Sequence, residues 1–260
     1  MKIAAFDFDG TLLHSRGDGT HSFNAEDLEA IRAWREAGHL AVAATGRSRS
    51  ALTFGIGDAD LTYDYRVLSN GASATTGDDD ELIYAYPIDP DILRAAVAEF
   101  KNTADVAVFG TTVGPIDGAF VLNTPRVSAF TGHFTRLTTD DIDHHTFAVV
   151  PIWVPENEAL RANVVRWAQR FDNVTVAQNQ DYVDIMAAGR SKGTGILELL
   201  RTLGARREDV ELYSFGDSWN DLSMHDAADI SHSFPHSPAD VQAATDHVID
   251  AVADALLRYI

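Results

Sequence analysis

The sequence contains no cysteine. This absence excludes disulfide bonds, thiolate nucleophiles and cysteine-ligated zinc, so any bound metal must be held by oxygen or imidazole ligands. Lysine is scarce as well, because Lys2, Lys101 and Lys192 are the only lysines among the 20 basic residues. A lysine beside a candidate site is therefore unusual in this chain.

Positive charge and long apolar runs are also lacking. The 39 acidic residues exceed the 20 basic ones and give a formal net charge of -19 at pH 7. Such a surface repels nucleic acid and anionic membranes, so neither is an expected partner. No apolar run reaches the ~20 residues needed to cross a bilayer, and MKIAAFDFDG acquires acids too early for a secretory signal. We therefore expect a cytoplasmic protein.

The periodicity of the apolar residues predicts an α/β fold. An apolar run at 2–8 predicts a strand, and a helical pattern follows between a candidate N-cap, Asn24, and a candidate stop, Gly38. The apolar runs LAVAAT and YRVLSNG, the latter at 65–71, predict two more strands. Strands that alternate with helices indicate a Rossmann-like parallel sheet with helices on both faces.

The middle of the chain has a different pattern. Two helical stretches and several closely spaced strands predict a small α+β module at 82–186. The alternation of strand and helix resumes after it. We therefore predict a core domain formed by 1–81 and 187–260, interrupted by an inserted domain.

Four polar motifs stand where the predicted strands end or the predicted helices begin. They are DFDGT at 7–11, TGR at 45–47, SK at 191–192 and GDSWND at 216–221. Ligands of open parallel sheets bind beyond the carboxyl ends of the strands, so these motifs are expected to share one site.

The aspartates of these motifs predict a bound cation. Asp7 and Asp9 are expected on the same side of their strand, about 7 Å apart along the backbone. Taken separately, these two aspartates could form a turn, and Asp217 and Asp221 could favour a helix start. Four carboxylates at adjacent strand ends would repel one another without a cation, and hard oxygen ligands indicate Mg²⁺.

Two further polar residues fit chemistry on a phosphate. A bound Mg²⁺ lets a carboxylate and an anionic phosphate approach each other. Lys192 and the hydroxyl of Thr45 would then supply charge and hydrogen bonds to the phosphoryl oxygens. The alternatives are a helix N-cap for Thr45 and a solvated residue before a helix for Lys192.

The motifs DFDGTLL, ATGR, KGTGI and GDSWNDLSM resemble, in order, the four motifs of the haloacid dehalogenase superfamily of phosphotransferases. The resemblance covers essentially the whole chain. It is greatest to the Cof-type branch, whose members carry an α+β cap between the second and third motifs. The resemblance thus implies a catalytic core and an inserted cap that closes over it and selects the substrate.

The resemblance also implies catalytic roles. Asp7 is the nucleophile that forms an aspartyl-phosphate, and Asp9 protonates the leaving oxygen and then activates water. Thr45 and Lys192 match the positions that orient the phosphoryl group and balance its charge. An acid at Asp9 argues for phosphate-ester hydrolysis or phosphoryl transfer rather than dehalogenation.

Metal ligands and substrate contacts follow from the same resemblance. Asp7, the backbone carbonyl of Asp9, and Asp217 match the magnesium ligands, while Asp221 would hold a metal-bound water. The predicted substrate contacts lie in the second and fourth motifs, and they are Gly46, Arg47 and Asn220. A surface position is equally common for an arginine such as Arg47.

The predicted function is a Mg²⁺-dependent phosphatase for a small phosphorylated metabolite, with a sugar phosphate favoured. A sugar phosphomutase is the nearest alternative. Alternatives outside enzymology are a phospho-receiver protein and a catalytically silent binding protein, although the acceptor at residue 7 and the complete set of motifs argue against them. The sequence does not predict an oligomeric state.

One segment departs from the Cof-type pattern. Where relatives often read like AMGNA, this chain has SHSFPHSP, which places His236 near a usual asparagine. His232 and His236 could form an imidazole metal site, but loop histidines are more often solvated. We expect His236 to border the active site.

Overall fold

The computed structural model describes residues 1–17, 20–125, 133–179 and 181–260. The strands within these ranges, numbered in chain order, are β1 Lys2–Phe6, β2 Leu13–Ser15, β3 His21–Phe23, β4 Leu40–Ala44, β5 Tyr65–Leu68, β6 Ser73–Thr76, β7 Leu82–Ala85, β8 Ala107–Thr112, β9 Gly118–Leu122, β10 Thr135–Arg136, β11 Phe147–Trp153, β12 Val174–Asn179, β13 Tyr182–Ala187, β14 Glu211–Phe215, β15 Ile230–Ser233 and β16 His247–Val248. The α-helices are α1 Ala25–Glu36, α2 Arg49–Ile56, α3 Pro90–Phe100, α4 Glu158–Ala168, α5 Lys192–Thr202, α6 Leu222–Ala227, α7 Ala239–Ala243 and α8 Val252–Leu256.

An eight-stranded sheet carries the predicted motifs. Its strand order is β16-β15-β14-β1-β4-β5-β6-β7, and the run from β16 to β5 is parallel. The pairing of β5 with β6 is antiparallel. The predicted α/β fold with a parallel sheet is therefore confirmed, and antiparallel pairing extends the sheet beyond β5.

Helix α1 begins and ends where the sequence predicts. The side chain of Asn24 accepts a hydrogen bond from the backbone N–H of Glu26, which satisfies one of the unpaired donors of the first turn. Gly38, with φ of 84°, follows the last turn in the left-handed conformation that glycine adopts without strain. The apolar stripe buries Ile31 and Trp34 in the core.

A buried acid joins α1 to α8. Asp27 is 2 % exposed, and its Oδ1 accepts a hydrogen bond from the backbone N–H of Ala253 at 2.8 Å. Burial raises the pKa of Asp27 to about 6. Because a raised folded-state pKa means tighter proton binding in the native protein, the free energy of unfolding falls as the pH rises from about 4 to about 6.

Asp27→Asn should therefore stabilise the protein near neutral pH. The amide oxygen can still accept from Ala253, while the buried charge is removed. We expect an increase of about 1 to 3 kcal/mol in the free energy of unfolding at neutral pH, and a smaller pH dependence between about 4 and 6. Denaturant unfolding across that range measures both. Glu26→Gln, which removes an exposed charge from the same turn, is the control. Equal effects of the two changes on the free energy of unfolding would contradict the raised pKa of Asp27.

The chain divides into two compact units. The first comprises Met1–Gly46, Gly55–Tyr84 and Ser191–Ile260, and the second comprises Arg47–Phe54 and Ala85–Arg190. The second unit contains a six-stranded sheet with the order β10-β9-β8-β11-β13-β12. Helices α3 and α4 pack on this sheet and help to bury a core of their own. The second unit is thus an α+β unit.

The division differs in detail from the predicted boundaries of 82 and 186. Strand β7, which the sequence analysis places at the start of the inserted module, lies at the edge of the eight-stranded sheet. The segment Arg47–Phe54 clusters with the second unit although it directly follows the TGR motif. An apolar pattern does not say which of two sheets a strand joins, because that depends on long-range pairing. The function of the second unit as a cap stays a prediction.

The helices do not resemble membrane spans. No helix in the described ranges combines the length and the apolar character that crossing a bilayer requires.

Candidate active site

Parallel pairing brings the ends of three strands together. Phe6 at the end of β1 lies beside Phe215 of β14 on one side and Ala43 of β4 on the other. The backbone N–H of Asp7 then donates to the carbonyl of Phe215 at 2.8 Å. The residues that follow β1, β4 and β14 therefore meet at one edge of the sheet, as the sequence predicts for the motifs of these strands.

Lys192 connects two aspartates of different motifs. Its Nζ lies 2.5 Å from Oδ1 of Asp7 and 2.6 Å from Oδ1 of Asp221. The ammonium is fully buried. Lys192 is the first residue of α5, where Ser191 caps the helix and accepts from the N–H of Thr194. Lys192 is therefore not a solvated residue before a helix.

The pKa values of these groups reflect their burial and mutual charge. Burial, and next the charge of Asp221, raise the pKa of the Asp7 carboxyl well above its usual value, against the effect of Lys192. Burial alone would lower the pKa of Lys192, but Asp221 and Asp7 outweigh it and raise that pKa. Lys192 therefore stays charged, and one ammonium faces more than one carboxylate.

Asp217 completes a group of three carboxylates. Asp7, Asp217 and Asp221 each offer an oxygen, and these oxygens lie within 4.8 Å of one another. Glycine makes this approach possible, since a Cβ on Gly10 would lie 2.4 Å from Oδ2 of Asp217 and one on Gly216 would lie 2.5 Å from Cγ of Asp221. Burial, followed by the charge of Asp221, raises the pKa of Asp217 to about 6.

The donor set fits a hard divalent cation. Oδ1 of Asp217 is buried and has no hydrogen-bond partner. A buried, unpaired carboxylate oxygen is costly unless a ligand satisfies it. The oxygen-only donor set, with no cysteine anywhere in the chain, suits Mg²⁺ rather than a softer metal.

Asp9 differs from the other three aspartates. Strand β1 ends at Phe6, so Asp7 and Asp9 lie in the following loop instead of on one face of a strand. Asp7 is buried, whereas Asp9 is exposed, and the carboxylate of Asp9 does not belong to the group of three carboxylates. The expected cluster of four side chains is thus a cluster of three.

The predicted phosphate-binding residues Thr45, Gly46 and Asn220 surround a residue that the sequence analysis missed. Asn70 donates its backbone N–H to the carbonyl of Thr45 at 3.0 Å, and Oδ1 of Asn70 accepts from Nδ2 of Asn220 at 3.3 Å. A Cβ on Gly46 would lie 3.3 Å from the same Oδ1. The apolar pattern predicts a strand that extends to Gly71, whereas β5 ends at Leu68; Asn-Gly is a turn signal that could have marked this loop.

Arg47 belongs to the second unit. Its guanidinium Nη1 donates to the backbone carbonyl of Ala51 at 2.8 Å, which is a local contact along the chain. The proposed contact of Arg47 with substrate remains a prediction.

The two histidines of SHSFPHSP have different surroundings. Nε2 of His236 lies 2.9 Å from the carbonyl oxygen of Gly10 and 3.7 Å from Oδ2 of Asp217. His232 is buried against Ser214 and Tyr259, and burial lowers its pKa to about 4. His232 is therefore a neutral core residue, while His236 borders the carboxylates.

A family match extends over nearly the whole chain. Residues 4–260 match the haloacid dehalogenase-like hydrolases. The chain belongs to this family. The resemblance carried by the four motifs is thereby confirmed. In this chain, these motifs bring together the carboxylates of Asp7, Asp217 and Asp221 and the ammonium of Lys192.

Solved structures of the family share the fold. The sugar phosphatase BT4131 of HAD subclass IIB is 23% identical, with a TM-score of 0.80 over 100% of this chain and 99% of that chain. A haloacid dehalogenase-like hydrolase from B. subtilis is 18% identical, with a TM-score of 0.81 and complete coverage of both chains. At these identities the likeness concerns the fold.

Curated relatives include proteins of different length. Pyridoxal phosphate phosphatase YbhA of Escherichia coli is 25% identical over 288 residues, which cover 100% of this chain and 97% of that protein. Two longer relatives are a Streptococcus pyogenes protein whose name joins a phosphatase to a peptidyl-prolyl cis-trans isomerase, at 26% identity, and a chloroplastic Arabidopsis thaliana protein named as an endoribonuclease, at 25% identity. The chain spans about half the length of these two, 53% and 45% respectively.

Proposed function

We propose that this protein is a Mg²⁺-dependent phosphatase that hydrolyses a small phosphate monoester through an aspartyl-phosphate on Asp7. The observation that carries the proposal is the contact of buried Lys192 with both Asp7 and Asp221, beside Asp217. A structural ion pair would need one carboxylate per ammonium. Here two carboxylates share one ammonium and a third lies close to both, which indicates a site for additional positive charge.

The first chemical step uses Asp7 and Asp9. A carboxylate oxygen of Asp7 attacks phosphorus, and the bond between phosphorus and the ester oxygen breaks. The Asp9 carboxyl gives its proton to the leaving oxygen, which departs as an alcohol. Lys192 holds Oδ1 of Asp7 and thereby fixes the orientation of the nucleophile.

The second step reverses the role of Asp9. The Asp9 carboxylate takes a proton from a water molecule whose oxygen attacks phosphorus. The bond between phosphorus and the Asp7 oxygen breaks, which releases orthophosphate and restores both carboxyl groups to their initial states. The exposure of Asp9 supports this role, since the group must reach both an alcohol and water.

Asp7 and Asp217 would hold the metal, together with the backbone carbonyl of Asp9 that the family motif implies, and Asp221 would hold a water bound to the metal. When bound, Mg²⁺ supplies the positive charge that lets an anionic phosphoryl group approach the Asp7 carboxylate. Thr45 and Asn220 would donate hydrogen bonds to the phosphoryl oxygens.

A small phosphorylated metabolite is the proposed substrate class, and a sugar phosphate is the favoured member. The sugar phosphatase BT4131 supports this choice at the level of the fold, and YbhA, named for pyridoxal phosphate, extends it to phosphorylated cofactors. The net charge of -19 disfavours a polyanionic substrate such as nucleic acid.

An aryl phosphate assay with Mg²⁺ and with a chelator tests the proposal. We expect chelation to lower orthophosphate release by at least about 100-fold and added Mg²⁺ to restore it. A panel of sugar phosphates and pyridoxal phosphate, scored by kcat/KM, then ranks the substrates. Equal release with and without the chelator would contradict the metal assignment.

The same panel separates hydrolysis from transfer. A phosphatase releases one orthophosphate for every alcohol formed. A sugar phosphomutase would move the phosphate between positions of one sugar without net release. Interconversion of sugar phosphate isomers at constant orthophosphate would therefore replace the proposed reaction with a mutase reaction.

A further inference from the structure

The loop Ser69–Gly71 after β5 has an unusual backbone. Its three residues have φ values of 54°, 52° and 86°. Glycine adopts this left-handed conformation freely, whereas a residue with a Cβ pays about 1 kcal/mol or more. Two consecutive residues other than glycine persist there only where the surroundings impose it, and such positions occur preferentially at functional sites.

The loop contacts three of the predicted motifs. The backbone N–H of Asn70 donates to Thr45, and Oδ1 of Asn70 accepts from Asn220. Gly71 packs against the start of α5, because a Cβ there would lie 2.1 Å from the carbonyl oxygen of Ser191. The loop therefore joins the segments that carry Thr45, Lys192 and Asn220.

Asn70 determines which way the Asn220 amide faces. An amide group presents an oxygen on one side and an NH₂ on the other. In the structure Oδ1 of Asn70 faces Asn220, and Asn220 turns its NH₂ group toward it. Oδ1 of Asn220 is a buried atom without a hydrogen-bond partner, so the contact with Asn70 is the hydrogen bond that orients this amide.

We propose that Asn70 is a positioning residue, an inference that rests on the proposed function. It holds one N–H of the Asn220 amide, so that the other N–H is presented to an oxygen of the transferring phosphoryl group. The left-handed backbone of Ser69 and Asn70 accompanies an arrangement in which the N–H of Asn70 donates to Thr45 while its side chain accepts from Asn220.

Asn70→Gly separates this role from a purely conformational one. Glycine keeps the left-handed backbone and the N–H that donates to Thr45, and it removes only the side chain. We expect kcat/KM for an aryl phosphate to fall about ten-fold, and the inhibition constant of orthophosphate to rise by a similar factor, in a protein that still unfolds cooperatively.

Asn173→Gly is the matched control. Asn173 has φ of 59° and lies in an exposed turn before β12 of the second unit. This change removes the same side chain from the same backbone conformation, and we expect wild-type kinetics. An Asn70→Gly protein with wild-type kinetics, or a loss matched by Asn173→Gly, overturns the inference.

A double-mutant cycle tests whether Asn70 acts through Asn220. The variants are Asn70→Gly, Asn220→Ala and their combination. We expect the double variant to resemble Asn220→Ala within about two-fold in the inhibition constant of orthophosphate, since the orientation of a missing amide has no effect. If the effects of Asn70→Gly and Asn220→Ala on the inhibition constant multiplied in the double variant, the coupling between Asn70 and Asn220 would be refuted. A wild-type protein that neither releases nor binds orthophosphate overturns the proposed function and this inference with it.

Discussion

Asp7→Asn should lower the rate of orthophosphate release by at least about 10⁴-fold, because an amide oxygen is a far poorer nucleophile toward phosphorus than a carboxylate. Asp221 cannot replace Asp7 in this role, because it is buried and already accepts from Lys192 and from the N–H of Ser218. The rate of orthophosphate release at saturating aryl phosphate and Mg²⁺, compared with that of the wild-type protein, measures this loss of activity.

The fold should survive this change. Burial already raises the pKa of Asp7, so a neutral amide at this position costs little, and its oxygen can still accept from Lys192. Asp105→Asn is the control, because Asp105 occupies an exposed left-handed turn in which asparagine is equally tolerated. Activity in folded Asp7→Asn within ten-fold of wild type would rule out Asp7 as the nucleophile.

Lys192→Met should abolish activity and destabilise the fold together. Removal of the ammonium leaves Asp7 and Asp221 as buried acids without their cationic partner. Breaking a buried ion pair in this way costs about 3 to 5 kcal/mol, because the remaining charge is uncompensated. The nucleophile also loses its fixed orientation, and we expect kcat to fall at least about 10³-fold.

Denaturant unfolding and steady-state kinetics measure the two effects of Lys192→Met. Lys101→Met is the matched control, since Lys101 is an exposed lysine at the end of α3 in the second unit. We expect its stability and its kcat to remain close to wild type. If Lys192→Met were as stable as Lys101→Met, the ion pairs of Lys192 with Asp7 and Asp221 would not stabilise the fold.

Local signals predicted the elements that depend on neighbouring residues. Asn24 caps α1 and Gly38 follows it, because a cap and a left-handed stop are properties of a few adjacent residues. The edge of the sheet where the motifs meet was also predictable, since parallel strands align their carboxyl ends. These inferences need no knowledge of packing.

The environments of individual side chains were not predictable in this way. Asp7 and Asp9 are two residues apart, yet one is buried and the other exposed, because β1 ends before either of them. Lys192 was predicted to contact the phosphoryl group, but taken alone it could equally have been a solvated residue before a helix; in the structure it is buried at the start of α5. Burial depends on which segments pack together, and no short stretch of sequence encodes that.

By itself the sequence determined the family, the α/β core and the residues that can carry phosphoryl chemistry, because these depend on residue type, order and spacing along the chain. Only the tertiary structure decided that three carboxylates, not four, lie together, that Lys192 contacts two of them, and that Asn70 reaches Asn220 from 150 positions away along the chain. The physical reason is that charge compensation and hydrogen-bond partnership are properties of distance in space, which the packing of the strands and loops sets.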